Sequence, residues 1–200
     1  MHHTVSTACA GTANCNTTIP STGTGHALVQ MATIYHSTNF PAYQSASGAG
    51  TWSNCAACRV QQTFNIVTIV AYNLSTTAGV TSVNLTLDAS ADQFDVDVYE
   101  LAWSGASITY DTGNATSITS ACTSCAGPTL TLGGTTDVIL QEILPNFSCT
   151  AISGAYASSF EASANGDAWA ISLNTSSGTA PTWTCTSGVA VVSAIALKGN

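Results

Sequence analysis

Ser82-Val-Asn-Leu-Thr-Leu87 and, shortly after it, Phe94-Asp-Val-Asp-Val-Tyr99 decide the fold class. In the first segment Val83, Leu85 and Leu87 point one way and Ser82, Asn84 and Thr86 the other. In the second, Phe94, Val96 and Val98 alternate with Asp95, Asp97 and Tyr99. An alternation of two is the period of a strand with one face in a core and the other in water. Working outward, Ala-Leu-Val-Gln-Met-Ala-Thr-Ile-Tyr-His from Ala27 is apolar on both faces, as a strand between two layers would be. Val60 to Leu74 reads as one long β-rich run, and further strands are expected at 129–132, 136–143, 151–160, 167–173 and 189–197. Only Thr136 to Leu144 leans towards helix, and its β-branched residues favour a strand. About nine or ten short strands punctuated by Gly, Ser and Asn predict an all-β chain, an antiparallel β-sandwich of jelly-roll or Ig-like kind.

Residues 1–25 are rich in Thr, Ser, Ala, Asn and Gly, contain Pro20, and read as an extended N-terminal arm. Residues 26–200 read as a single β-sandwich domain. The opening Met1-His2-His3-Thr4 has no basic or apolar leader segment, the pattern expected where a secretory leader has been removed or was never part of this sequence.

Eight cysteines stand beside only two basic residues, Arg59 and Lys198. Reducing cytosol would leave those thiols free, whereas an oxidising exterior pairs them. Their spacing groups Cys9 with Cys15, Cys55 with Cys58, Cys122 with Cys125, and leaves Cys149 with Cys185 as a long-range couple. The alternative is a zinc site built from Cys55-Ala-Ala-Cys58 and Cys122-Thr-Ser-Cys125. Such sites belong to reducing compartments, and a thioredoxin-like motif requires a helix N-terminus, so disulfide staples are the better reading. The expected location is extracellular or at the cell surface.

Charged residues are 6% of the chain and the formal net charge is −8, so nucleic acid is excluded as a partner for want of clustered cations. No apolar run of about 18 residues occurs, which excludes a spanning helix. A mean hydropathy of +0.26 with so few charges leaves a neutral, hydroxyl-rich surface that favours assembly over free diffusion.

Gly25-His-Ala-Leu-Val29, Val70-Ala-Tyr-Asn73, Ser82-Val-Asn-Leu-Thr86, the segment from Val98 to Ala106 and the closing segment from Val191 to Gly199 are short, mostly apolar stretches distributed along the chain. In these stretches the sequence resembles a recurrent all-β domain of secreted and surface proteins of bacteria. The resemblance implies a β-sandwich in which an acidic residue, here Glu100, ends a core strand before a Ser-Gly turn. It implies no catalytic residues, and the cysteines are additional to its pattern.

Asp92, Asp95 and Asp97 are the candidate ligands for calcium, which takes carboxylate oxygens of this kind. The alternative is an exposed acidic strand face, and a glycosidase carboxylate pair ranks below both. Trp52 and Trp183, each in a loop rich in Gly, Ser and Thr next to a cysteine, are candidate glycan-stacking platforms, against a role in the core. His2 and His3 lie behind Met1, so they do not form an amino-terminal copper site. No nucleophile, base and orienter set, zinc-protease motif or phosphate loop is present, so the expectation is a non-enzyme, with a secreted hydrolase as a weaker third class.

The functional expectation is an extracellular structural or adhesive protein, a self-assembling surface or filament subunit joined by N-terminal strand addition. Its partners would be other copies of itself or surface polymers and glycans. The alternative is a carbohydrate-binding module with an aromatic platform and a calcium site.

Overall fold

A computed structural model describes residues 2–62, 65–104, 107–145, 148–154, 156–160 and 167–199. The chain is an antiparallel, disulfide-stapled, sandwich-like all-β structure. The 15 strands among the described residues are β1 (His2–Cys9), β2 (Thr12–Thr18), β3 (Ala27–Tyr35), β4 (Tyr43–Ser47), β5 (Ser53–Asn54), β6 (Val60–Gln62), β7 (Ile66–Asn73), β8 (Ser82–Ala91), β9 (Gln93–Leu101), β10 (Ile108–Ala126), β11 (Asp137–Pro145), β12 (Cys149–Ile152), β13 (Ala157–Phe160), β14 (Ala168–Thr175) and β15 (Thr182–Gly199). A single 3-10 turn at Ala56–Cys58 is the only helical element among them, and none is long and apolar enough to cross a membrane.

Two compact units emerge. The first comprises Met1–Ala56, Ile69–Thr109 and Gly199–Asn200, the second Ala57–Thr68 and Tyr110–Lys198. In the first, one sheet runs β1-β9-β3-β7-β5 and a smaller one β2-β8-β4. The two sheets touch through β2 against β9 and β8 against β3. β8 keeps its expected alternation, with Val83, Leu85 and Leu87 buried. β9 does not have the solvent-facing side its alternation suggests. Asp95 and Asp97 are each 3% exposed, because the side chains on both faces of β9 are buried from Phe94 to Leu101.

The segment read as an extended arm contains two strands of this unit. β1 pairs antiparallel with β9, Val5 opposite Val98 and Cys9 opposite Phe94, while β2 pairs with β8, Cys15 opposite Leu85. Ordinary strand composition was masked there by small polar residues, whose backbone groups still need partners. Gly11, at φ 65°, makes the reversal between β1 and β2.

The second unit is a sheet of order β10-β15-β11-β14-β13, with β12 also on β15. β11 is buried along its whole length and β15 from Val189 to Leu197. One face of the sheet carries Ile143, Ala168, Ala170, Trp183, Ala190 and Val192 in a common cluster. Val60 and Ile66 pack with Leu144 and Val191 in another.

Two further expectations change. The run from Val60 to Leu74 is two antiparallel strands, Val60 opposite Thr68 and Gln62 opposite Ile66. Asn65 adopts the left-handed conformation that Asn tolerates, φ 63°, and its N–H donates to the Gln62 carbonyl at 3.0 Å. Phe64 lies outside the described residues. The segment 129–132 is not a strand; Leu130 is buried in coil, its N–H donating to the Gly178 carbonyl at 2.8 Å. β10 had no apolar signal because it lies at the margin of the sheet, mostly half-buried or exposed, and is rich in Ser and Thr.

Cysteine pairing follows the expected spacing. Cys9–Cys15, Cys122–Cys125 and Cys149–Cys185 are disulfides, Cys55 and Cys58 are likewise oxidised, and no thiol is free. Such a complement suits an oxidising compartment. Cys149 and Cys185 face each other across β12 and β15 at a sequence separation of 36, whereas Cys122 and Cys125 sit within the end of one strand. Closing the longer loop removes more freedom from the unfolded chain. Cys149→Ala with Cys185→Ala is expected to lower stability by about 3–4 kcal/mol, and Cys122→Ala with Cys125→Ala by about 2 kcal/mol or less. Urea unfolding of both double variants measures the difference, and equal losses would contradict it.

Candidate functional site

Three neighbouring strands of the second unit bring together Asp111 of β10, Lys198 of β15 and Asp137 of β11. β15 lies between the other two, and Val138 is in register with Leu197, which sets Asp137 beside Lys198. Lys198 Nζ is 3.0 Å from Asp111 Oδ1, with the lysine side chain 30% and the aspartate side chain 5% exposed. The Gly133 N–H donates to Asp111 Oδ2 at 2.7 Å. Asp137 is 0% exposed.

The Gly133-Gly134 segment before β11 is shaped to this cluster. A Cβ on Gly133 would lie 2.8 Å from Asp111 Oδ1 and 3.3 Å from Lys198 Nζ, and one on Gly134 would collide with the Asp137 carboxyl. Glycine at these positions allows the backbone to close over the two carboxyls and the amine at that distance.

Protonation follows from these contacts. Burial pushes Asp137 up to about 6, and its side-chain contact with Asp111 and the negative charge there push the same way, against weaker opposition from the Gly134 amide and Lys198. As a carboxylate, Asp137 would have neither oxygen matched to a well-aligned donor. Carrying a proton, it donates to Asp111 and the mismatch disappears. Burial also raises Asp111, but the Gly133 amide, Lys198 and the Asp137 hydroxyl outweigh it, and the Asp111 carboxyl sits below its usual range. The two carboxyls therefore share a proton beside an ammonium group. Chemically, the cluster holds an acid, a carboxylate and an amine in contact, with water largely shut out from the carboxyls.

In the first unit Glu100 is the organising charge. Its Oε1 accepts the Gly23 N–H at 2.8 Å and lies 2.7 Å from His26 Nδ1, tying the chain before β3 to the end of β9. This buried acid is the penultimate residue of β9.

The candidate calcium ligands are not brought together. Asp92 is at the surface, where its Oδ2 accepts the Ser37 N–H at 2.7 Å, and that amide first of all holds its carboxyl below the usual range. Asp95 and Asp97 are buried in β9 and engaged in other interactions. Among the described residues the three share no common ligand distance. Trp183, expected as a platform, is 0% exposed in the core of the second unit, since β15 carries it inward. Trp52 is half-buried, with its indole N–H donating to the Gly48 carbonyl at 2.6 Å.

No protein-family model, curated protein or solved structure matches this chain, and no enzyme family is identified for it.

Asp111, Asp137 and Lys198 were missed in the sequence because their spacing forms no motif. Two signals were present: an acid opening a strand that continues Val-Ile-Leu shortly after Gly-Gly, and one of the chain's two cations.

Folded Asp137 holds its proton more tightly than the unfolded chain, where the ordinary value is 3.8. Its contribution to stability is complete below that value and is lost as pH rises through about 6. Asp111 is shifted the other way, and its contribution fades only on acidification below the ordinary range. Asp137→Asn removes the penalty of ionising a buried acid. In the chain with the ion pair intact, it is expected to flatten the loss of stability between about pH 4 and pH 7 and to add about 1–3 kcal/mol at the upper end. Urea melts across that range test it; an unchanged slope would refute the assignment.

Proposed function

We propose that this protein is a subunit of an extracellular or cell-surface assembly, with a structural or adhesive role, whose copies join by exchanging the N-terminal strand. The observation that carries the reading is the position of β1. It lies at the edge of its sheet, where among the described residues its strand ladder is with β9, and its residues from Val5 to Cys9 are half-buried or exposed. An edge strand with one ladder costs less to withdraw than β9 or β3, and a second copy's β1 offers β9 the same register. Cys9–Cys15 ties β1 to β2, so the two would move together about the segment that leads to β3. A full disulfide complement and a sparsely charged, hydroxyl-rich sequence support a protein that persists outside the cell in contact with its own kind.

Thr7 and Val96 are opposed in the β1–β9 ladder. Converting both to cysteine traps the partner of β1: exchange yields covalent dimers and higher ladders on non-reducing electrophoresis, and light scattering of the native protein shows multimers. A cross-linked single chain and a monomeric native protein would overturn the reading.

A carbohydrate-binding role is the second reading, supported by two open grooves that combine an aromatic ring with hydroxyls. One is lined by Thr51, Ser53, Tyr72, Asn73 and Ser75, in the segment that carries Trp52. The other is lined by Ser153, Tyr156, Thr175, Ser177 and Thr179. Rings beside hydrogen-bonding groups are the chemistry that holds sugars. On a glycan array, binding that is lost in Trp52→Ala or Tyr156→Ala would favour it; no binding would remove it.

A further inference from the structure

We propose that Lys198 and Asp111 condense into an intramolecular amide, with Asp137 relaying the proton. The inference stands independently of the assembly proposed above.

The geometry has each part that the reaction needs. The amine nitrogen is 3.0 Å from Asp111 Oδ1, the contact distance from which attack on the adjoining carbonyl carbon begins. Asp111 Oδ2 is held by the Gly133 N–H at 2.7 Å, which places a backbone donor on the oxygen that bears charge in the tetrahedral intermediate. Asp137, in side-chain contact with Asp111, is a buried acid able to protonate the departing oxygen. With the Asp111 side chain 5% exposed, the product amide is shielded from hydrolysis, and the expelled water is not readily replaced. Gly133 and Gly134 make the close approach possible, since any side chain there would displace the reacting groups.

The step balances without a further reactant. Nζ bonds to Asp111 Cγ and the bond from Cγ to Oδ1 breaks. Of the three ammonium protons, one stays on the amide nitrogen and two leave with Oδ1 as water. Asp137 gives Oδ1 the proton it holds and takes one from the nitrogen in return, so it ends as it began. No atom is oxidised or reduced.

The bond would join β10 to β15, neighbours in the sheet at the two ends of the long segment Tyr110–Lys198. It resists reductants, which the disulfides do not.

Intact mass of the full chain, unfolded, reduced and alkylated, is the test. The expected mass is one water below the sequence value, with a branched peptide joining the Asp111 and Lys198 segments after digestion. Lys198→Arg keeps the positive charge, and hence the ion pair, but is expected to restore the full mass. Asp111→Ala and Asp137→Asn are expected to do the same. Near-UV circular dichroism verifies that each variant is folded. Full sequence mass in folded native protein would overturn the proposal. A water deficit that persists in Lys198→Arg would overturn it as well, since it would signify cyclisation of Asp111 on its own backbone. A deficit that persists in Asp137→Asn would overturn the proton relay. The pH dependence ascribed above to the carboxyl pair is read in Lys198→Arg, which retains both acids uncondensed.

Discussion

A strand buried on both faces must find all its backbone hydrogen bonds within its own sheet, and β15 is where this constraint bears hardest. Val189 to Leu197 lie in the core, so no water reaches the N–H and C=O groups that side chains leave over. β11 satisfies them along one edge, Val138 to Pro145 opposite Leu197 to Ala190, and β10 lies along the other; β12 pairs with β15 outside that stretch, opposite Trp183 to Cys185. An unmatched buried amide costs about 1–3 kcal/mol. The remaining strands of the second unit are thus arranged around β15. The same requirement explains β9 in the first unit, enclosed by β1 and β3 along nearly its full length. That β1 completes the ladder of β9 is also why its residues, unremarkable in composition, are ordered into a strand at all.

The fold was legible wherever side chains reported their surroundings. Val83, Leu85 and Leu87 alternate because β8 has one wet face, and β3 and the Val189–Leu197 stretch of β15 are mostly apolar on both faces because neither face is wet there. Legibility failed where the backbone alone carries the structure. β1, β2 and β10 consist largely of Ser, Thr, Asn and small residues at sheet margins, whose pattern is the same in a loop and in an edge strand. Asp95 and Asp97 show the converse. Their alternation with Phe94 and Val96 correctly indicates a strand, yet the face they occupy is covered, so polarity did not mark exposure.

The cysteine framework could be read from spacing because short separations and an even count leave few sensible pairings. The carboxyl and amine cluster could not, because its members approach only through the order β10-β15-β11, a property of sheet topology rather than of chain distance. Trp183 illustrates the same limit from the other side. Its neighbours Thr182, Thr184 and Thr186 suggest a surface loop, but β15 alternates there, with Trp183 and Cys185 turned into the core and the threonines turned out. A ring of that size is more valuable to a sheet with few large residues as filling than as a platform.

Scarcity of charge gives Lys198 its meaning. In a chain with two cations, surface ion pairs contribute little to solubility or stability, and many exposed polar contacts pair a hydroxyl with the backbone. Retaining an ammonium group beside two carboxyls that are largely withdrawn from water, under a glycine pair that excludes any alternative side chain, is costly as electrostatics alone, since the desolvation of buried charges offsets much of their attraction. Condensation would remove both the ammonium and the carboxylate and leave a neutral amide with the Gly133 hydrogen bond still in place. On that account the cluster is less a salt bridge placed in a sheet than a junction between neighbouring strands. Force drawn along the segment from β10 to β15 would meet that junction before it reached the ladders of β11 and β14.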